Sequence, residues 1–331
     1  MRKLINNPDD LATELIDGFV LTYKDMVKRV GPHVVARTAV PVKGQVGVVI
    51  GGGAGHEPMF LEFIGEGLAD VSVHGEIFTA PAPGDVLQAI KAADGGAGVL
   101  LLYNNYAGDV LNFDMGQEDA RDEGMNVETV LINDEISAFP KEQMDERRGT
   151  SCDTLVVHVA GAAAQSGIDL ESLVTLLKKT VFNSRSIAVA TAPCTLPQTG
   201  LPTFELPQGR MELGIGLHGE AGVRQVDIMT ANDTADALLD EIVADLPFEK
   251  GDEVVALISG YGQTTRMEMF LVMRRVHPYL KEKDISIYGS VLGEFNTAQE
   301  MGGISITLMK LDDEIKKYHD MPANGPGYVK F

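Results

Sequence analysis

A single histidine stands in a segment too rich in glycine for a stable helix or strand. His218 belongs to MELGIGLHGEAG, residues 211–222. Four glycines flank it: Gly214, Gly216, Gly219 and Gly222. Glycine weakens regular secondary structure and lets a ligand come close to the backbone. The pattern predicts that His218 is a nucleophile or ligand binder, and a buried imidazole bonded to the backbone is the alternative.

A second candidate loop follows the apolar residues at the start of VVIGGGAGHEP, residues 48–58. Ligands of open α/β sheets bind beyond the carboxyl ends of the strands, where glycine N–H groups can point at ligand oxygens. No Gly-Lys-Ser/Thr follows, and His56 stands where a dinucleotide fingerprint needs its last glycine. The loop is therefore predicted to bind a ligand without being a nucleotide motif. A tight strand-to-helix turn is the alternative.

A third polar loop follows the apolar stretch in LLLYNNYAGDVLNF, residues 100–113. It contains Asn104, Asn105 and Asp109, and capping of the next helix is the alternative role for Asp109. If the strands before the second and third loops are neighbours, His56 and Asp109 share one crevice. His74 follows another strand-like stretch and is a further candidate for the same crevice.

The remaining motifs carry less information. GIGLHG, residues 214–219, formally matches G-x-G-x-x-G, but no apolar strand precedes it, so no nucleotide site is predicted there. The chain contains no H-E-x-x-H, C-x-x-C or G-x-S-x-G, so neither a metal site nor a hydrolase elbow is predicted. We expect structural roles for the other histidines: His33, His158, His277 and His319.

Apolar strand-like stretches alternate with amphipathic helical ones along the chain. This order predicts parallel or mixed sheets that are covered by helices on both faces. Asn7 and Gly31 suit the two ends of a first helix, whose apolar residues recur every three or four positions as far as Val30. Residues 192–222 are rich in Pro, Gly and Thr and are predicted to form a functional loop or a linker.

The fold class predicted from these elements is α/β, with two three-layer α/β/α domains. A length of 331 residues suits about two domains at ~150 residues each. Residues 1–184 would carry the loops of His56 and Asp109. Residues 185–331 would carry the loop of His218.

Composition excludes several classes of partner. The formal net charge of −21 argues against nucleic acid and anionic membranes, since both need a basic face. No apolar region of signal-peptide type and no run of 18 apolar residues occurs. The expected compartment is the cytoplasm, where Cys152 and Cys194 would be buried thiols rather than a disulfide.

Five segments in a fixed order resemble one family over nearly the whole chain. They are GGGAGHEP, NYAGDVLNF, RSIAVATAPCTLP, MELGIGLHGE and GEFNTAQEMGGISITLMKLDDE. Together these segments resemble the K subunit of dihydroxyacetone kinase. The resemblance implies two α/β domains with the active site between them, and dihydroxyacetone or a similar small ketose as substrate. A homodimer is also expected.

The resemblance implies a role for each candidate residue. His218 would add a ring nitrogen to the substrate ketone and form a hemiaminal, which a polyol without a carbonyl cannot do. The attacking imidazole must be neutral, so binding should weaken at acid pH. Asp109 would accept the proton of the terminal hydroxyl and His56 would assist, with the choice of base left open. Binding of the ketose would further involve Gly53, Ala54, Gly55 and Asn104.

The resemblance also assigns the missing half of the reaction to a partner. The chain shows no ATP-binding motif, so ADP or ATP and Mg²⁺ are expected on a separate nucleotide-binding L subunit. A phosphoenolpyruvate-dependent phosphotransferase relay would supply that ADP with phosphate. This chain alone should be inactive as a kinase.

Departures from the family pattern leave the particular ketose open. Asn104 stands where many members have lysine, and Glu76 replaces a more usual aspartate. SGYGQTTRMEMF differs from the usual NGLGGTP stretch. A kinase subunit for erythrulose and a non-catalytic ketose-sensing co-activator are therefore alternatives. Retention of His56, Asp109 and His218 favours an enzyme, and the broken glycine motifs make a nicotinamide-dependent oxidoreductase a poor third choice.

Overall fold

The computed structural model describes residues 3–246 and 248–331, which divide by internal contacts into two compact units. The first unit holds the described residues up to Leu131, with Thr154–Lys179 and Ile315–Phe331. The second unit holds Ile132–Asp153 and Thr180–Glu314. The division into folding domains of residues 1–184 and 185–331 stays a prediction.

Helices and strands alternate through most of the chain. The helices are α1 Leu11–Thr22, α2 Pro83–Ala93, α3 Ala107–Asp122, α4 Asp153–Gln165, α5 Leu170–Phe182, α6 Ala231–Asp245, α7 Arg266–Glu282 and α8 Asp313–His319. The strands are β1 Val27–Gly31, β2 Val34–Arg37, β3 Gly47–Ala54, β4 Val71–Ile77, β5 Val99–Asn104, β6 Val127–Ile132, β7 Ser184–Ala192, β8 Arg210–Leu213, β9 Arg224–Asp227, β10 Glu253–Gly260, β11 Ser286–Glu294, β12 Gly302–Lys310, β13 Ala323–Asn324 and β14 Val329–Lys330.

The first unit is built on a mixed sheet in the order β1-β2-β4-β3-β5-β6. The central strand β3 pairs in parallel with β4 and β5, and β2 pairs antiparallel with both β1 and β4. Alternate residues of β2 face opposite sides: Val34 and Ala36 pack with α2 and α3, while Val35 packs with α1. Helices therefore cover both faces of this sheet, as the apolar strands predicted.

The first predicted helix is too long. Helix α1 ends at Thr22, and Val27–Gly31 forms β1 instead of a further turn of helix. This strand pairs with β2 in an antiparallel hairpin, from Val27 opposite Arg37 to Gly31 opposite Val34. Val27 and Val30 keep a helical spacing from the residues of α1, but β-branched side chains suit a strand and the pairing with β2 decides their conformation.

The second unit contains another mixed sheet, in the order β11-β10-β12-β7-β8-β9. Only β10 and β11 pair in parallel among the pairs of named strands in this sheet. Apolar residues of β7, β10 and β12 pack against α6 and α7. The predicted loop 192–222 contains no helix among its residues, but it does contain the short strand β8 at the sheet. This strand ends directly before Gly214, so the expectation that no strand precedes GIGLHG is wrong. The predicted α/β fold class is confirmed, with both sheets mixed.

Within the described ranges, no helix is both long and apolar enough to cross a membrane.

Candidate functional site

The loop that follows β3 buries His56 at the edge of the first sheet. The side chain of His56 is 3% exposed, and its ring lies 4.9 Å from the ring of Phe78, centroid to centroid. The glycine N–H groups of this loop were predicted to point at ligand oxygens. One of them is already used within the protein, because the Gly55 N–H donates to the Glu57 carboxylate at 2.9 and 3.1 Å. Burial raises the pKa of Glu57, and the Gly55 hydrogen bond opposes that rise.

Gly53 and Ala54 belong to β3 itself. Gly53 lies opposite Gly75 of β4, and a side chain on Gly53 would meet the backbone N of Thr79 at 2.6 Å. Ala54 is fully buried, and its carbonyl accepts from the Phe78 N–H. Close packing between β3 and the segment after β4 thus accounts for the small residues here.

Asp109 lies in the first turn of α3, directly beyond β5. The N-cap of α3 is Tyr106, so the alternative in which Asp109 is the N-cap of this helix is wrong. A carboxylate in a first turn is stabilised by the positive end of the helix dipole. Asn104 ends β5 and is 4% exposed, and its carbonyl accepts from the Tyr106 N–H.

His56 and Asp109 follow neighbouring strands. Because β3 and β5 are paired in parallel, the loops after both strands leave the same edge of the sheet. This pairing meets the condition under which the sequence places the two residues in one crevice. The sheet therefore brings His56, Asn104 and Asp109 to one edge of the first unit.

His74 does not line that edge. It lies inside β4, opposite Gly52, and is 1% exposed, with Nε2 at 2.8 Å from the Ser72 hydroxyl. Burial, reinforced by His33, lowers the pKa of His74 to about 3, which keeps the ring neutral. The two cysteines are buried and free, as predicted.

The glycines around His218 are required by the protein's own packing. Gly214 and Gly219 have φ values of +74° and +89°, in the left-handed region that favours glycine. A side chain on Gly214 would meet Ser137, and one on Gly219 would meet Thr203 at 2.8 Å. The glycines thus let the loop pack closely within the second unit. This packing accounts for Gly214 and Gly219 without a ligand.

His218 is held by a carboxylate two residues further along the chain. Its Nδ1 lies 3.0 Å from Glu220 Oε1, and its backbone N–H donates to Glu220 Oε2 at 3.0 Å. The His218 side chain is 23% exposed. Burial would raise the pKa of Glu220, but the hydrogen bond with His218, the charge that the His218 ring carries when it is protonated, and the charge of Arg148 lower it to about 2. Glu220 is therefore a carboxylate at neutral pH.

A buried ion pair stands behind this carboxylate. Arg148 Nη1 lies 4.0 Å from Glu220 Oε2, and Arg148 Nη2 donates at 2.8 Å to Glu135, which is fully buried. A side chain on Gly216 would meet Arg148 Nη1 at 2.5 Å. Gly216 thus leaves room for Arg148 to reach Glu220.

Sequence reasoning missed Glu220, Arg148 and Glu135. The sequence does offer a signal for Glu220, since a carboxylate two residues after a candidate nucleophile can reach its ring. Nothing in the sequence points to Arg148 or Glu135, which lie more than 65 positions before His218 and approach it through the fold of the second unit.

Across residues 3–246 and 248–331, no three His, Cys, Asp or Glu side chains are grouped so that they could hold a metal ion.

Comparison with known proteins identifies the family. The Dak1 domain matches residues 17–327. The PTS-dependent dihydroxyacetone kinase 2, dihydroxyacetone-binding subunit DhaK, of Listeria innocua is 39% identical over 329 residues, which cover 98% of each chain. The L-erythrulose kinase of Pectobacterium atrosepticum is 36% identical, and the match covers 100% of this chain but 56% of that protein.

A solved structure agrees with this assignment. The native form of the dihydroxyacetone kinase of C. freundii superposes with a TM-score of 0.90 at 30% identity, covering 99% of this chain and 60% of that one. The chain described here belongs to the Dak1 family.

Proposed function

We propose that this chain is the ketose-binding subunit of a phosphotransferase-dependent dihydroxyacetone kinase, and that it holds its substrate covalently on His218. The Listeria innocua subunit, similar to this chain over 98% of both lengths, supports the activity. The observation that carries the residue assignment is the partly exposed imidazole of His218, which a carboxylate contacts in a glycine-bounded loop.

Covalent capture explains how such a small substrate can be selected. The imidazole adds to a ketone carbon, and a tertiary ring nitrogen cannot go on to an imine, so the reaction stops at the hemiaminal. Glycerol has no carbonyl and cannot form this bond. Discrimination then rests on chemistry, where shape and contact area offer little for a three-carbon ligand.

His56 and Asp109 are proposed to activate the hydroxyl that receives the phosphoryl group. Their loops leave the same edge of the first sheet, and either side chain can serve as a general base. Asn104 and the segment Gly53–Gly55 flank these residues in the chain and are proposed to contact the ketose.

The phosphoryl donor is proposed to reside on a partner. In this proposal the L subunit binds ADP or ATP with Mg²⁺, and a phosphotransferase relay restores its ATP. The chain itself is inactive as a kinase when alone. A homodimer and a cytoplasmic location stay predictions.

A reconstituted assay tests the proposal. Purified chain, an L subunit of a phosphotransferase-dependent system, ATP, Mg²⁺ and dihydroxyacetone should yield a ketose phosphate, and omission of either protein should abolish it. Ketose capture without phosphoryl transfer by any L subunit tried would instead indicate the co-activator role.

Erythrulose is the second candidate substrate. The erythrulose kinase of Pectobacterium atrosepticum matches the full length of this chain at 36% identity. Erythrulose also carries a ketone, so the same attack by His218 is chemically possible. The ratio of kcat/KM for erythrulose to that for dihydroxyacetone in the reconstituted assay decides between the two ketoses.

A further inference from the structure

We infer that Glu220 is a positioning residue for His218, which fixes the ring tautomer and faces the charge that develops on the ring during ketose capture. The inference rests on the proposed function, because it concerns the same histidine. It adds a role for Glu220 and, behind it, for Arg148 and Glu135.

The tautomer follows from the chemistry of the two partners. An ionised carboxylate only accepts hydrogen bonds, so the His218 Nδ1 that lies 3.0 Å from Glu220 Oε1 must carry the proton. A neutral imidazole with a proton on Nδ1 has its lone pair on Nε2. Glu220 therefore makes Nε2 the nucleophilic atom. Glu220 also holds the backbone of His218, because Glu220 Oε2 accepts a hydrogen bond from the His218 N–H.

The addition step places positive charge next to Glu220. The Nε2 lone pair forms a bond to the ketone carbon, the carbonyl π pair moves to the oxygen, and that oxygen takes a proton from solvent. The ring keeps its Nδ1–H and becomes a substituted imidazolium with one positive charge. The attack itself still needs the neutral ring, so with this product acid pH should slow capture, and the expectation that acid weakens binding is replaced by an expected fall in the rate. A carboxylate within hydrogen-bond distance of Nδ1 favours this product over the free ketone, as it favours an imidazolium in a catalytic triad.

Glu220 is itself held in place. The Arg148 guanidinium lies between Glu220 and the buried Glu135, at 4.0 Å from the first carboxylate and 2.8 Å from the second. Arg148 also donates to the Gly214 carbonyl at 3.3 Å, so the same side chain braces the start of the loop. Glu135 further accepts from the backbone N–H groups of Ser137 and Ala138. The contacts form a continuous path from a fully buried carboxylate to the imidazole.

The test compares the wild type with Glu220→Gln, which keeps the side-chain size and removes the charge. The protein is labelled with ¹⁵N-histidine, and the His218 ring nitrogens are assigned by their loss in His218→Ala. Long-range ¹H–¹⁵N spectra without ketose report which nitrogen carries the proton. The hemiaminal signal of carbonyl-¹³C dihydroxyacetone then gives the capture constant. Glu205→Gln is the matched control, because Glu205 is exposed in the same unit and makes the same charge change.

We expect the wild type and Glu205→Gln to have the proton on Nδ1. In Glu220→Gln the amide can donate to Nδ1, so the Nε2–H form should gain population and the capture constant should fall at least tenfold. Two results would overturn the inference: an Nε2–H tautomer in the wild type, which needs no variant, or a Glu220→Gln protein with unchanged tautomer and capture. An Nδ1–H wild type that captures no ketone would support the positioning role and refute the proposed function.

Discussion

At the scale of single residues, the proposed mechanism assigns capture and phosphoryl transfer to different side chains. His218 lies in the second unit, and His56 and Asp109 belong to the edge of the first sheet. The bond to the ketone carbon and the proton of the terminal hydroxyl are also different chemical targets. The two functions should therefore be separable by substitution.

Asp109→Asn should separate them. The change removes a base while keeping the size of the side chain, so kcat with an L subunit should fall by ~10²–10⁴, the usual contribution of a general base. The hemiaminal should still form, because Asp109 takes no part in the bond to carbon. Steady-state phosphorylation and the ¹³C signal of bound ketose measure the two effects.

Asp119→Asn is the control, since Asp119 is exposed on the same helix. Wild-type turnover by Asp109→Asn would remove Asp109 from the chemistry and leave His56→Gln as the variant that must lose turnover.

At the scale of secondary-structure elements, the loop after β8 depends on the conformation and the packing of Gly214. Gly214→Ala should lower the free energy of unfolding by about 2 kcal/mol or more, since an added methyl group meets strain at φ +74° and a contact 2.5 Å from the Ser137 Cβ. Urea unfolding measures the loss.

Gly209→Ala separates the cost of backbone strain from the cost of the contact with Ser137. Gly209 has a similar φ of +78° and open space in front of it, so its substitution retains only the backbone strain. The loss for Gly214→Ala should be the larger one. Equal losses would show that contact with Ser137 does not constrain the loop.

The elements themselves were largely predictable, and the failures have local causes. Apolar runs such as β3 and β5 and the capped helices are predicted by their patterns. The sequence does not predict the hairpin of β1 and β2, because Val27 and Val30 continue the helical spacing of the apolar residues of α1. Only the pairing with β2 shows that these residues have an extended backbone. The sequence predicts a shared crevice for His56 and Asp109 only if β3 and β5 are neighbours. The sheet pairs these two strands in parallel.

The site was predicted less completely than the fold. Local patterns identified His56, Asp109 and His218 as candidates, because glycines and polar residues follow apolar strands or interrupt them. Arg148 and Glu135 act on the His218 loop across a long stretch of sequence. No spacing rule reaches such contacts, since they arise only when the sheet of the second unit has formed.

At the scale of the whole molecule, stability at acid pH should depend on buried histidines, among them His158 of α4 and His319 of α8, which lie beside the C-terminal segment of the chain. Burial is the main cause that lowers the pKa of His158 to about 4 and that of His319 to about 3, and the charge of Lys330 adds to both effects. The rings lie 5.7 Å apart, and His158 Nε2 lies 2.9 Å from the Met321 carbonyl oxygen. Both rings are neutral in the folded protein at neutral pH.

Acidification should therefore destabilise the fold. The unfolded chain binds these protons below about pH 6.5 and the folded chain does not until about pH 4, so the free energy of unfolding falls as the pH drops through this window. A shift from about 6.5 to about 4 corresponds to roughly 3 kcal/mol for His158. Urea unfolding at several pH values between 7 and 4.5 measures the slope.

His158→Gln should flatten that slope, even if it lowers stability at pH 7. His277→Gln is the control, because His277 is exposed on α7, and its slope should match the wild type. A slope in His158→Gln equal to that of the wild type would contradict the linkage.

Covalent binding of a ketone by His218 is the step on which the proposed function depends. The most direct measurement adds carbonyl-¹³C dihydroxyacetone to the wild type and to His218→Ala and records the ¹³C spectrum. A new tetrahedral-carbon signal in the wild type alone is the predicted result. An unchanged ketone signal with the wild type, for both dihydroxyacetone and erythrulose, would contradict the proposed function while leaving the fold and the family assignment intact.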